Sequence, residues 1–147
     1  KWYQSASEAG YYYATYRLGT MYENGQHVFK NNKKAIELYH EAADGGIEEA
    51  QFQLGIIYGE KKWGFILTRD YEESLKWFKK VAEAEGELAA TAAYNVYIIY
   101  SNEWAQGDTN KWLKIAADLG NEEAIKLSTK LSKQDAEDLI IEYLNNN

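Results

Sequence analysis

Cysteine and proline are both absent from these 147 residues, and methionine occurs once. Without cysteine there is no disulfide framework and no thiolate chemistry, a composition compatible with either the cytosol or the periplasm. Without proline there are no Pro-rich linkers, which suits a chain that is helical nearly throughout. No apolar run approaches the roughly 18 residues needed to cross a bilayer. Positive charge is also scarce. Sixteen Lys and Arg stand against 23 Asp and Glu, a formal charge of −7. Nucleic acid demands a basic face and an anionic membrane attracts one, so both fit poorly as partners. The two histidines, His27 and His40, have no His-x-x-x-His spacing and no triad partner, and read as solvated side chains.

Aromatic and aliphatic residues are plentiful. Thirteen Tyr, five Trp and 46% hydrophobic residues are far from a disordered composition. They are also ordered in a pattern. Ala14-x-x-x-Leu18-Gly19-x-x-Tyr22 returns as Ala50-x-x-x-Leu54-Gly55-x-x-Tyr58, 36 residues later. Trp2-Tyr3-x-x-Ala6 and Gly10 return at the same offset as Leu38-Tyr39-x-x-Ala42 and Gly46. Self-similarity at such a period is the mark of a solenoid of stacked supersecondary units, none of which buries its apolar face alone.

Each unit reads as two helices. Glu8 to Glu23 carries Ala14, Leu18 and Tyr22 as one stripe, and Gly25 punctuates it. Asn31 or Asn32 can cap a second helix with Ala35, Leu38, Tyr39 and Ala42 on one face, ended at Gly45-Gly46. The next unit places helices at Glu48–Tyr58 and about Asp70–Glu83. There Ser74, Trp77, Phe78, Val81 and Ala82 repeat Ala35, Leu38, Tyr39, Ala42 and Ala43 at an offset of 39. The loop between these helices is therefore longer, and Gly86 stands one residue later than the pattern requires. A third unit is degenerate. Its first helix reads as Ala90-x-x-x-Tyr94-Asn95-x-x-Ile98 or, almost as well, through Ala92, Val96, Tyr97 and Tyr100. Its second carries Trp112-Leu113-x-x-Ala116-Ala117 and Gly120. A last segment, Ser132 to Leu144, sets Ala136, Leu139, Ile140, Tyr143 and Leu144 on one face and acids on the other, as an array cap requires. The expected division is one repeat domain, 1–147, with the end of a truncated repeat at 1–10. Repeats follow at 11–46 and 47–86, a degenerate one at 87–120, and a C-terminal cap at 121–147.

These phrases resemble the Sel-one-like repeat family, a branch of the tetratricopeptide-like α-solenoids. Lys34-Ala35-x-x-Leu38-Tyr39-x-x-Ala42-Ala43 carries its second-helix phrase almost intact, and Lys1-Trp2-Tyr3-x-x-Ala6 supplies the end of an earlier unit. The chain so read starts inside a longer protein, and an export signal is out of view, with periplasm and cytoplasm both open. The resemblance implies an all-α, right-handed α/α superhelix of antiparallel helix pairs with a C-terminal capping helix. Its first helices would line a concave face that binds another protein, without enzymatic activity, cofactor, small molecule or membrane insertion. Narrower alternatives are a bacterial immunity protein neutralising a secreted toxin and, from another class, a hydrolase using paired carboxylates.

By analogy with the tetratricopeptide arrangement, the concave positions are Tyr13, Tyr16, Thr20, Glu23 and Asn24 in the first unit. In the second they are Glu49, Phe52, Ile56 and Glu60, and in the third, less firmly, Ala92, Val96 and Ile99. The aromatics would hold a partner helix or loop, and Glu23, Glu49 and Glu60 would select basic character. Trp63 and Phe65, in the lengthened loop, are a second candidate. The acidic pairs Glu48-Glu49, Glu72-Glu73 and Glu122-Glu123 lie in first turns, where the helix dipole explains them without catalysis.

Overall fold

The computed structural model describes residues 2–60, 70–102 and 107–146, with residues 2–7 described by their backbone alone. Seven helices follow one another, and there is no strand among the described residues. They are α1 (Trp2–Asn24), α2 (Asn32–Asp44), α3 (Glu48–Gly59), α4 (Tyr71–Glu83), α5 (Ala89–Ser101), α6 (Thr109–Asp118) and α7 (Glu122–Asn145). Each packs chiefly on the helix before it and the helix after it, which makes the molecule an α-solenoid of helix pairs.

The second helices begin on side-chain caps. Asn31, Asp70 and Asp108 each accept a hydrogen bond from the backbone N–H three residues on. Where α2 and α6 end, Gly46 and Gly120 take φ of 89° and 93°, a left-handed conformation that glycine enters at no steric cost.

Two kinds of interface alternate. Within a pair, a glycine lets an aromatic ring approach. A Cβ built on Gly19 would lie 2.8 Å from the Tyr39 ring, and one on Gly55 would lie 2.7 Å from Phe78. Between pairs, small residues and leucine interlock: Ala35, Ala42 and Ala43 of α2 share one core with Ala50, Leu54 and Ile57 of α3. Trp77 of α4 closes that core. The other side of α4 (Leu75, Phe78, Val81) opens a second core shared with α5, α6 and Ala124.

Three expectations need correction. The first helix does not start at Glu8, since α1 runs unbroken from Trp2 through Gly10, whose missing side chain faces open space. Ala14 and Leu18 are consequently exposed, whereas their counterparts Ala50 and Leu54 are fully buried, because among the described residues no second-type helix lies on α1 as α2 lies on α3. The last segment is not a separate packed cap. It continues α7, which buries Ala124 and leaves Leu139, Ile140, Tyr143 and Leu144 in solvent. The one-residue delay of Gly86 also has a physical reason, because the left-handed residue after α4 is the one before it. Glu85 takes φ 54°, and Gly86 is small because the Glu48 carboxylate presses against it on its way to accept the Leu88 N–H at 2.9 Å. Finally, His40 is not solvated: its Nε2 shares a 2.8 Å hydrogen bond with the Tyr58 hydroxyl, and its ring meets Trp77 edge-on.

Candidate interaction groove

The burial pattern of α5 settles its register. Ala92, Ala93, Val96, Ile99 and Tyr100 are buried as Ala50, Gln51, Leu54 and Ile57 are in α3, so Ala92 and Val96 stand where Ala50 and Leu54 do. Ala92, Val96 and Ile99 are therefore core residues, not groove residues. In this register Tyr94 takes the place of Phe52 and Tyr16, and Ile98 that of Ile56 and Thr20. Asn95 likewise takes the place of Gln53. The register through Ala92, Val96, Tyr97 and Tyr100 was the signal that would have found them. Tyr97 stands in the place of the pair glycine here and Leu113 in that of the facing ring, an exchange of volumes within one core.

The first helices thus align three half-buried aromatics, Tyr16, Phe52 and Tyr94. Each rests on a second ring: Tyr16 on Tyr39 with centroids 5.8 Å apart, Phe52 on Phe78 at 5.3 Å, and Tyr94 on Tyr97 at 5.6 Å. Their inner faces are held by packing while their outer edges stay accessible. Tyr13 leans on Tyr16 at 6.0 Å and is 46% exposed.

Adjacent first helices meet through polar groups. Glu23 of α1 accepts from the buried Tyr39 hydroxyl and from Gln53 Nε2 of α3 at 3.3 Å. This carboxylate is engaged in joining three helices, so Glu23 is a structural residue first. Burial, then the charge of Glu49, raises the Tyr16 hydroxyl pKa above its ordinary value, which sets Glu49 beside the aromatic row. Glu49 is exposed and free to face a cation. Thr20 donates to the Arg17 carbonyl at 2.7 Å and Asn24 donates to the Thr20 carbonyl at 2.9 Å, which ties both to the end of α1. Between α3 and α5, Ile56 and Glu60 line a cleft of about 130 Å³ together with Asn95, Ile98 and Phe78. Trp63 and Phe65 lie outside the described residues.

The paired carboxylates have structural employment. Glu48 caps α5, and Glu73 accepts from the Trp77 indole at 3.0 Å and from Lys76 at 3.1 Å. Among the described residues no group of three His, Cys, Asp or Glu could hold a metal ion, and no helix is long and apolar enough to cross a membrane.

Comparison with known proteins places this geometry in context. A Sel1 repeat protein from Oxalobacter formigenes superposes with a TM-score of 0.67 at 28% identity, covering 86% of this chain and 96% of that one. A protective antigen present in uropathogenic Escherichia coli strains, described as displaying an SLR fold, gives 0.61 at 28% identity over 77% of this chain and 24% of its own. Chitin synthase regulatory factor 3 of Schizosaccharomyces pombe is 24% identical over 98 residues, which are 67% of this chain. The chain spans only 10% of that protein's length. The Sel1 repeat itself matches residues 1–11, 13–47, 48–85 and 110–121. With matches along most of its length and the paired-helix stacking described above, the chain belongs to the Sel1 repeat family, whose members are generally protein-interaction scaffolds.

Proposed function

We propose that the chain is a non-enzymatic scaffold that binds a helix or extended loop of another protein along its first helices. The observation that carries this is the alignment of Tyr16, Phe52 and Tyr94 at one register of three successive first helices, each half-exposed. Rigid aromatic edges contribute contact area at low entropic cost, and such residues dominate interface energetics. A helical partner would present apolar anchors at i, i+3 or i+4 and i+7. Glu49 and Glu60 favour a partner with basic residues beside those anchors, and the net charge of −7 steers it in.

The test is affinity purification with mass spectrometry, followed by binding measurements on the recovered partner. Glu49→Lys with Glu60→Lys reverses charge at two exposed positions and leaves packing intact. Phe52→Ala removes the central aromatic and should weaken binding by about 2 kcal/mol, roughly thirtyfold in Kd. A partner held equally well by both variants, with unchanged circular dichroism, would place the binding surface elsewhere.

A further inference from the structure

A cleft of about 400 Å³ opens between the C-terminal ends of α4 and α6, two second helices, and shares no lining residue with the aromatic row of the first helices. Its apolar lining is Ala82 of α4 with Trp112, Ile115 and Leu119 of α6. Glu83, Glu85 and Asp118 stand at its edge, all exposed, against a single lysine, Lys111. None of the three carboxylates has a hydrogen-bond or ion-pair partner among the described residues.

This lining differs from what the repeat supplies elsewhere. In the register set by Leu38, Trp77 and Trp112, the place of Ile115 belongs to Glu41 in α2 and Lys80 in α4, and that of Leu119 to Gly45 and Ala84. At these two positions α6 turns apolar where the earlier second helices are charged or small, and Leu119 is 37% exposed. The same register puts Glu85 in the place of Gly46 and Gly120. Glu85 adopts their left-handed backbone and brings a carboxylate to the cleft where a glycine would bring none.

We infer that this cleft binds a segment of a partner protein in which an arginine stands between apolar residues. Charge selects the cation. Three unpartnered carboxylates outweigh Lys111, and the ends of α4 and α6 add the partial negative charge of their last carbonyls. Arginine fits better than lysine, because its planar guanidinium is weakly hydrated and spreads five donors over several acceptors. The apolar neighbours of that arginine cover Ile115 and Leu119. Trp112 adds apolar contact only, since Lys79 already stands over its ring, 5.9 Å from the centroid. The volume falls within the range of pockets that enclose a ligand, roughly 300–1,000 Å³.

The probe is the tripeptide acetyl-Leu-Arg-Leu amide, titrated to about 10 mM into the isotope-labelled chain and followed by amide NMR shifts. Saturable shifts are expected at residues 82–85 and 111–119 and at the Trp112 indole, whereas acetyl-Leu-Glu-Leu amide should cause none. Ile115→Lys with Leu119→Ala restores the residues of the preceding unit outside the buried core and should weaken binding about tenfold or more. Glu85→Gly should weaken binding severalfold while raising the melting temperature, an opposition that loss of structure cannot produce. No saturable shift over that range of peptide overturns the inference. So do shifts confined to the first helices, equal affinity for the glutamate peptide, or undiminished affinity in either variant.

Discussion

Gly46 and Gly120 close α2 and α6 with the same pair of bonds. The left-handed residue donates to the carbonyl three back, and its successor donates to the carbonyl five back. Glu85 holds the corresponding place after α4 at φ 54°, where a side chain costs about 1–2 kcal/mol that glycine escapes. Glycine loses part of this advantage because it is freer in the unfolded chain. Glu85→Gly should therefore stabilise the protein by about 0.5–1 kcal/mol, a rise of roughly 2 °C in melting temperature for a chain of this size. Gly46→Ala should move the melting temperature the other way by a similar amount, and a calorimetric scan of the two variants checks both. This residue was only half legible in sequence. The offset from Gly46 pointed to position 85, but a glycine at 86 drew the eye. What demands Gly86 is a carboxylate from α3, a contact between pairs that no local pattern encodes.

At the scale of elements, Tyr39 joins three helices. Its ring fills the gap at Gly19, it packs on Tyr16, and its hydroxyl donates to Glu23, which also accepts from Gln53 on α3. Burial first, and the Glu23 hydrogen bond and charge next, push the Tyr39 pKa far above the ordinary tyrosine value. Tyr16 and Tyr58 are raised as well, each chiefly by burial. Below the unfolded tyrosine pKa, about 10, both states keep these protons and stability does not respond. Above it the unfolded chain ionises while the native chain stays protonated, so stability falls as pH rises. Urea titrations from about pH 8 to 11 should show this decline. Tyr39→Phe should make it shallower and cost about 1.5–3 kcal/mol at neutral pH by removing a hydrogen bond to a carboxylate. An undiminished alkaline slope in Tyr39→Phe would assign the decline to other tyrosines. Helix pairs of this kind were legible because glycine and its facing aromatic recur 20 and 23 residues apart within a unit, as Gly19–Tyr39 and Gly55–Phe78 do. The register of α5 was not, because the third unit exchanges the glycine for Tyr97 and the ring for Leu113. Nor was the exposure of Ala14, since periodicity tells which face is apolar and leaves open what covers it.

For the whole molecule, nearest-neighbour stacking means that stability is a sum over interfaces and need not be uniform along the chain. The interfaces are unequal. α4 contributes Trp77 to one core and Leu75, Phe78 and Val81 to the other, so α3, α4 and α5 have well-filled contacts on both sides. α1 is covered on one face only, and α7 buries Ala124 alone. Local opening draws on the number of buried apolar contacts that must be broken, so amide protection should follow that order. Hydrogen exchange at neutral pH is expected to be slowest in α3 to α5, faster in α1 and α2, and fastest in α7 beyond residue 130, where helix hydrogen bonds stand without tertiary cover. Val81→Ala deletes fully buried methyl groups between α4 and α5 and should cost about 1–3 kcal/mol. In a stack held by neighbours, that loss should speed exchange most in α4 and α5 and leave α7 beyond residue 130 at its original rate, because that segment opens without disturbing Val81. Equal acceleration of every amide, including those of α7, would mean that the chain opens only as one unit and that its interfaces are far more evenly balanced than their packing indicates.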